Sequence, residues 1–467
     1  LAFIGIILLI SFFAGVQIPV INKISLNEFQ KVLSKPPTSK SSPIQTSSQQ
    51  PAASSQETGG SNSFKIRLVV WRGAIDAWLA NPIIGTGVET FAFAYYKYRP
   101  IEHNRLSEWN FLYNKAHNEY LNYLTTTGIL GLGTYLLFIG FFLLIPLVNF
   151  LKIKLKLIRY EWDNKDPLLL GLICSFLSIL MINFFGFSVV ILNIYLFLIP
   201  AFVLVLLNLI IHKKDEENTS ANISYSMWSG ISILGLLGIF MIGFLIRYWI
   251  ADTKYALGYN YNRVQELQTA YPLLHDAVKL KQEPVYLDEM AVNDAFIAAG
   301  LLTQNSTQSA QIAQTLIDEA LLTSDRLVKE YPNNIVFWKS RVRILYTLSS
   351  VNQEYLPKAL KAIKKTAELA PTDASVLYNL GVIYGKNNDT KNATKVLEKT
   401  VEYKPDYREA HFALGLFYHD LSINKSGAVT EPVYHGKAIN EMEYILEKIN
   451  PSDQQAKESL ELWEKEF

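Results

Sequence analysis

Apolar segments long enough to cross a bilayer constrain the fold of this chain more than any other feature. A transmembrane helix needs about 20 mostly apolar residues. Five segments reach that length: 1–20, 129–150, 168–188, 189–211 and 228–250. The apolar run from 168 to 211 is too long for one span, so we expect two helices that turn near Asn183, Gly186 and Ser188. The sequence therefore predicts an all-α, polytopic helix bundle.

Composition indicates that a soluble part accompanies this bundle. Of the 467 residues, 50% are hydrophobic and 18% are charged, which is polar for a membrane bundle alone. The only cysteine, Cys174, excludes disulfides and cysteine metal sites within the chain. The sequence has no Walker-type glycine loop and no basic stripe, so we expect no nucleic acid partner.

The first 128 residues combine a span with a long polar segment. The chain starts inside an apolar run without a basic segment before it, which favours a transmembrane helix over a signal peptide. We expect the N-terminus to be truncated, with further spans upstream. Residues 35–63 have too few apolar groups to pack and are predicted to be a flexible linker within an outer loop at 21–128.

Basic residues in short loops predict the orientation of the spans, because they mark the cytoplasmic side. Such residues follow two of the apolar segments: Lys152, Lys154, Lys156 and Arg159, then His212, Lys213 and Lys214. Counting spans outward from these loops places residues 21–128 and everything after 250 outside the membrane. The prediction is a multi-pass protein with an extracytoplasmic loop and an extracytoplasmic C-terminal domain.

Residues 251–467 change to a soluble helical pattern in which a repeat is visible. Matching residues recur at a period of about 34, clearest at 335–451: Ala374, Leu377, Leu380, Gly381, Tyr384, Ala393, Leu397 and Pro405 in one copy, then Arg408, His411, Leu414, Gly415 and Tyr418. This pattern resembles the tetratricopeptide repeat, which implies an α-solenoid. An earlier copy contains Trp338, Ala359 and Pro371, and residues 291–332 are predicted to supply a fourth copy or a helical cap.

Residues 64–128 collect the polar side chains that could carry chemistry. A predicted helix places Arg67, Trp71, Ala74 and Trp78 on one face and ends at Asn81-Pro82, before a glycine turn. A second predicted helix places His117 on an apolar face with Tyr120, Leu121 and Leu124. An imidazole on such a face needs a polar partner.

These motifs together resemble the O-antigen ligase and polymerase family of membrane glycosyltransferases, most strongly from Arg67 to Gly131 and more loosely over about 1–210. The motifs are Arg67, Trp71 and Ala74; Pro82, Gly85 and Gly87 with Phe91; and Ala116-His117-Asn118 with Leu121, before Gly128 and Gly131. The resemblance implies a metal-independent transferase without cofactors. Its donor would be a glycan on undecaprenyl pyrophosphate in the bacterial cytoplasmic membrane.

The resemblance also implies roles for named residues. Arg67 matches the arginine that holds the pyrophosphate, and a guanidinium suits phosphate oxygens. His117 matches the family histidine and could take a proton from an attacking hydroxyl. Further candidates for substrate binding are Arg72, Arg99, Tyr113, Lys115 and Asn118. From the residues alone, Arg67 could instead be an interfacial charge and His117 a structural histidine.

The acceptor stays open at this stage. A lipid core, a growing glycan and a protein side chain all fit the motifs, and the repeats favour a protein acceptor or a protein partner on their concave surface. The donor, the acceptor and membrane lipids are thus the predicted partners. The alternative is a non-catalytic scaffold in which the spans tether the repeats to the membrane, although a tether would not need Arg67 and His117.

Overall fold

The computed structural model describes residues 61–155, 165–207, 225–304, 306–424 and 428–466, and these residues lie in one compact unit. The predicted span 1–20 and most of the predicted linker fall outside these ranges, as do Lys156, Arg159 and the basic residues at 212–214. The described residues contain no sheet, and an isolated antiparallel bridge joins Ile423 to Val429. The all-α prediction is confirmed.

The first part of the described chain carries the outer loop and the apolar helices. Its elements are α1 (Ser61–Ala80), α2 (Phe91–Tyr98), a 3-10 helix (Ile101–Arg105), α3 (Glu119–Lys154), α4 (Asp166–Phe185), α5 (Val190–Leu206) and α6 (Tyr225–Arg263). By length and composition, three stretches could cross a membrane: Glu119–Lys152, Asp166–Phe185 and Trp228–Arg263. They correspond to three of the predicted spans. Helix α5 is apolar but shorter, at 17 residues.

Helices α4 and α5 form the predicted hairpin. Helix α4 ends at Phe185 and α5 begins at Val190, so the turn lies where the sequence placed it. Phe142 of α3, Phe176 of α4 and Leu196 of α5 are buried in one apolar cluster. The backbone N–H of Ser188 in the turn donates to the Glu119 carboxylate at 3.3 Å. The tip of the hairpin therefore lies beside the start of α3, at the end of the bundle that carries the outer loop.

Helix α6 joins the apolar part to the repeats without a linker. The predicted domain boundary at 250 falls inside this helix, which continues to Arg263. Large apolar side chains such as Leu236 and Phe240 are about two-thirds exposed in its first half, as on a helix that faces lipid. Its last turns pack against the first repeat helices, through Tyr255 and Tyr261.

The repeat region is a series of antiparallel helix pairs. After α7 (Leu267–Leu280), the pairs are α8 (Pro284–Leu302) with α9 (Thr307–Glu330), α10 (Ile335–Leu348) with α11 (Tyr355–Leu369), α12 (Ala374–Lys386) with α13 (Thr390–Tyr403), and α14 (Arg408–Ser422) with α15 (Pro432–Tyr444). A π-helical turn (Ile445–Ile449) and α16 (Gln454–Trp463) follow. The predicted repeats are these pairs, and residues 291–332 fall in the additional pair α8–α9.

Two repeat glycines explain why the pairs pack closely. A Cβ on Gly381 would lie 2.7 Å from Cγ of Leu397 on the paired helix. A Cβ on Gly415 would collide with the side chain of Met442 on its own paired helix. Each glycine therefore admits a large apolar side chain from its partner helix, which is the packing that the repeat pattern predicts.

The docking loop, residues 96–109, attaches the outer loop to the repeats. The Asn104 amide donates to the carbonyl of Thr372 at 2.8 Å, and the Thr372 hydroxyl donates to the carbonyl of Arg99 at 2.7 Å. The Lys404 ammonium donates to the carbonyl of Asn104 at 3.1 Å. These contacts join residues far apart in the chain, and they place the outer loop and the repeats side by side.

Candidate functional site

The glycine turn after α1 holds the scaffold of the candidate site together. The N–H of Thr86 donates to the carbonyl of Thr125, and the N–H of Gly87 to that of Thr126, both at 2.9 Å. Gly85 and Gly128 both have positive φ, and a Cβ on Gly85 would lie 2.5 Å from the backbone N of Thr127. The motif glycines thus let two backbone segments touch, which is a structural role and not a phosphate cradle.

Helix α1 is also hydrogen-bonded to the backbone segment around Thr125 in α3. The Thr125 hydroxyl donates to the carbonyl of Ala74 at 3.0 Å, and Ala74 is fully buried. One turn earlier, the Trp71 ring lies edge-on to Phe184 at the end of α4, with ring centres 5.9 Å apart. The face of α1 that carries Arg67 is therefore set against the end of the apolar bundle.

The structure corrects the predicted position of His117. Helix α3 begins at Glu119, so His117 precedes the helix and does not lie on its apolar face. His117 has a left-handed backbone, with φ of 53°. Asn118 caps the helix, because its side-chain oxygen accepts from the N–H of Leu121 at 3.0 Å. The prediction was wrong because the apolar spacing already begins at His117, before the first residue of the helix, and spacing alone does not mark where a helix starts.

Aromatic rings surround His117 on two sides. Its ring centre lies 5.9 Å from that of Tyr113 and 5.3 Å from that of Phe187 in the α4–α5 turn, both edge-on. The imidazole is half-buried, and no described residue forms a hydrogen bond to it. Its nitrogens are therefore open to a ligand, whereas the sequence predicted a polar partner from within the chain.

The charges near His117 act on its protonation in opposite directions. Burial is the main cause that lowers the pKa of His117, and the charge of Arg67 lowers it further. The carboxylate of Glu108 raises it. Arg67 itself forms no ion pair with another described residue. The segments that carry Arg67 and His117 pack through Val70 and Ala116. Burial and the charge of Arg67 both favour the neutral form of the imidazole.

Glu108 and Tyr113 form a connected pair beside the histidine. The Tyr113 hydroxyl donates to the Glu108 carboxylate at 2.5 Å. Burial and this hydrogen bond raise the pKa of Tyr113. Tyr113 was a sequence candidate for substrate binding, but Glu108 was not. No local pattern singles out Glu108 among the loop carboxylates, and only the fold places it near His117.

The other candidate residues already have partners. Exposed Arg72 pairs with Glu102 at 3.0 Å, and Lys115 pairs with Glu89 at 2.5 Å. Arg99 is 3% exposed and lies 3.7 Å from the Asp373 carboxylate of the repeats. It also donates to the side chain of Asn104. Arg99 is thus engaged in domain docking, and the geometry favours Arg67 as the arginine beside His117.

His103 differs from His117 in its surroundings. It is fully buried, and its Nδ1 lies 3.0 Å from the Tyr95 hydroxyl. Burial, and then the charge of Arg99, lower the pKa of His103 to about 3. The imidazole is therefore neutral and enclosed, as expected of a structural histidine.

The segment just described, from Arg67 to Gly131, is also where comparison with known families gives a match. Residues 1–136 match the O-antigen ligase family. The resemblance predicted from the motifs is confirmed over this part, which includes Arg67, His117 and the motif glycines. The O-antigen ligase match covers less than a third of the 467 residues and ends within α3. No curated protein matches the sequence.

Solved structures that resemble the chain include tetratricopeptide repeat proteins. One is TTC0263 from Thermus thermophilus, at 17% identity over 46% of this chain and 99% of its own, with a TM-score of 0.32. Another is MamA from Desulfovibrio magneticus RS-1, at 17% identity over 43% of this chain and 97% of its own, with a TM-score of 0.32. A third is YrrB, at 14% identity, covering 44% and 90%, with a TM-score of 0.30.

Proposed function

We propose that the protein is a membrane glycosyltransferase of the O-antigen ligase type. It transfers a glycan from an undecaprenyl-pyrophosphate donor to a hydroxyl acceptor outside the cytoplasmic membrane. The family match supports the general activity, and the apolar helices support a location in the membrane. The alternative of a non-catalytic scaffold gives no reason for the arrangement around His117.

The observation that carries this proposal is that Arg67 lies near enough to His117 for its charge to act on the imidazole. Two distant segments of the outer loop pack together next to these residues, through Val70 and Ala116, and the charge of Arg67 lowers the pKa of His117. No described residue forms an ion pair or a hydrogen bond with either side chain. His117 lies beside Phe187, at the tip of the α4–α5 hairpin. A permanent cation and an available base at the end of an apolar bundle suit a substrate with a lipid tail and a diphosphate head.

The chemistry follows from these two groups. A neutral His117 takes the proton from the acceptor hydroxyl as its oxygen forms a bond to the anomeric carbon of the glycan. The bond from that carbon to the phosphate oxygen breaks, and the electron pair leaves with the lipid pyrophosphate. Arg67 binds the phosphate oxygens and stabilises the charge of the leaving group. No step requires a metal ion.

The contacts of the docking loop support a common side for the site and the repeats. The hydrogen bond between Asn104 and Thr372 supports placing the outer loop and the repeats in the same compartment. The orientation predicted from the basic loops would have the same consequence. We propose that the compartment is extracytoplasmic, and that the repeats bind a protein acceptor or a partner near the site.

Donor binding by two arginine variants tests the proposal. Arg67→Lys keeps the charge but loses the planar donor fork, so binding of undecaprenyl pyrophosphate to the purified full-length protein should weaken by about 1–3 kcal/mol. Arg72→Lys is the matched control, since it lies on the same helix and its guanidinium pairs with Glu102. Unchanged binding in Arg67→Lys would contradict the role of Arg67. Equal losses in both variants would restore Arg72 as a substrate contact.

A further inference from the structure

Three polar side chains converge at the C-terminal end of the repeats, away from the candidate site. His419 lies on α14, His435 lies on α15, and Glu466 follows α16. One ring nitrogen of each histidine and one carboxylate oxygen of Glu466 lie within 4.8 Å of one another. The three residues come from three separate elements, so the fold of the last repeat and not local sequence brings them together.

The surroundings hold both imidazoles in fixed orientations. The His419 ring stacks on Trp463, with ring centres 4.5 Å apart and planes 10° from parallel. His435 is buried, and its Nε2 lies 3.0 Å from the carbonyl of Trp463. Because a carbonyl can only accept, this nitrogen carries the proton of the neutral ring. Nδ1 of His435, which lies 3.5 Å from the Ser422 hydroxyl, is then the nitrogen that can bind a metal ion. A backbone carbonyl that accepts from the other ring nitrogen is a usual partner of a metal-binding histidine.

We propose that His419, His435 and Glu466 form a binding site for a divalent transition-metal ion of the Zn²⁺ type. Two imidazoles and one carboxylate are ligands that Zn²⁺ accepts, whereas Ca²⁺ and Mg²⁺ prefer oxygen ligands throughout. Nε2 of His419 and the Glu466 carboxylate are 2.7 Å apart, as a hydrogen-bonded pair. Zinc–ligand distances of about 2.0–2.2 Å would need these two atoms to separate slightly, which the exposed Glu466 can allow.

A bound ion would fasten the end of the repeat stack. It would connect α14, α15 and the segment after α16, which closes the last helix pair. Terminal repeats lack a neighbour on one side and need a cap. The ion would therefore stabilise the folded repeats increasingly as its concentration rises, because unfolding would separate its ligands.

A nearby histidine–glutamate pair provides the control. Nδ1 of His411 lies 2.6 Å from the Glu441 carboxylate, and its Nε2 lies 2.9 Å from the carbonyl of Pro405. This pair connects the same two helices, α14 and α15. No third ligand from the described part of the chain joins it. It shares the ion-pair chemistry of the proposed site but should not bind a metal ion.

The test is Zn²⁺ binding to the purified full-length protein after treatment with a chelator. We expect about one tightly bound Zn²⁺ per chain by calorimetry, and a higher Tm for the repeats when Zn²⁺ is present. Glu466→Gln and His419→Ala should each weaken binding at least about tenfold, while Glu441→Gln should bind as the parent does. Because Glu466 is exposed, we expect its substitution to leave the protein folded.

A second readout distinguishes this site from adventitious binding. Co²⁺ in place of Zn²⁺ should give the visible absorption of a tetrahedral ion, and Glu466→Gln should change that spectrum. A parent protein without stoichiometric binding would overturn the proposal. An ion that is retained with equal affinity in both Glu466→Gln and His419→Ala would also overturn it, because the ion would then lie elsewhere.

Discussion

His117 adopts a left-handed backbone conformation that costs most residues other than glycine about 1–2 kcal/mol. The capping of α3 by Asn118 and the packing of Phe187 keep it there. Strained backbone of this kind is concentrated at functional sites, where the fold holds a side chain in a required position. Arg67 and His117 are therefore the two residues on which the proposed chemistry rests.

The pH dependence of turnover should report the two charges beside His117. Loss of the neutral imidazole should produce an acidic limb at a pH below the ordinary range of histidine, because burial is the main cause that lowers the pKa of His117. Arg67→Gln removes a cation that lowers this pKa, so the limb should move to higher pH. Glu108→Gln removes an anion that raises it, so the limb should move to lower pH.

Profiles of kcat against pH at saturating donor would measure both shifts. The opposite signs serve as an internal control, since general damage to the site would not move the limb in opposite directions. A limb that stays in place in both variants would show that His117 does not control the acidic side of the profile.

Docking of the outer loop on the repeats depends on a buried ion pair. Burial would raise the pKa of Asp373, but the charges of Lys339 and Arg99 outweigh it and hold the pKa at about 2. Asp373 also caps α12, accepting from the N–H of Ser375 at 2.9 Å. The Asp373 carboxylate thus connects Arg99 of the docking loop, Lys339 of the preceding repeat and the first turn of α12.

Asp373→Ala should destabilise the protein strongly. It leaves Arg99 buried without its counter-ion, for which the cost is about 3–5 kcal/mol. The control is Glu102→Gln, which removes the exposed pair with Arg72 and should change stability by less than about 1 kcal/mol. Denaturant unfolding of the detergent-solubilised protein would measure both. Equal, small effects would mean that the loop does not depend on this contact.

The stability from Asp373 should also depend on pH. Its folded pKa of about 2 lies below the unfolded value of about 4, so its contribution is present above about pH 4 and is lost as the pH falls towards about 2. Denaturant unfolding of the parent and of Asp373→Ala at a series of pH values would measure this, and the difference between them should shrink over that range. A difference that stays constant down to the lowest pH would contradict the lowered pKa.

The sequence predicted elements that follow from local residue patterns. It missed contacts between residues that lie far apart in the chain. The turn near Gly186 follows from the length of an apolar run, and the position of Gly381 follows from the repeat pattern. The start of α3 was missed although Asn118 is a typical capping residue and could have indicated it. The pair Arg99–Asp373 could not be found, because nothing in a single sequence connects residues in separate domains.

The same limit applies to the candidate site. Arg67 and His117 were found through their motifs, whereas Glu108 beside them has no motif. The substrate-binding roles of Tyr113, Lys115 and Asn118 stay predictions. In the structure, their side chains contact Glu108, Glu89 and the N–H of Leu121, respectively.

In the proposed topology of the whole protein, the repeats and the outer loop share one side of the membrane. Cysteines introduced at Ser452, and at Ser54 outside the described residues, should react with a membrane-impermeant maleimide in intact cells or spheroplasts, after Cys174→Ser removes the native thiol. A cysteine at Lys165, between α3 and α4, is the matched control and should react only after lysis. Labelling of the Ser452 position only after lysis would reverse the orientation.

The most direct test of the central claim is glycan transfer by the purified full-length protein from an undecaprenyl-pyrophosphate donor. We expect the parent to transfer the glycan, and His117→Ala to turn over slower by a factor of roughly 100 or more while binding the donor nearly as well as the parent. Circular dichroism and thermal unfolding of the variant would exclude loss of the fold as the cause. Transfer by His117→Ala at the parent rate would contradict the account and leave His117 with a structural role.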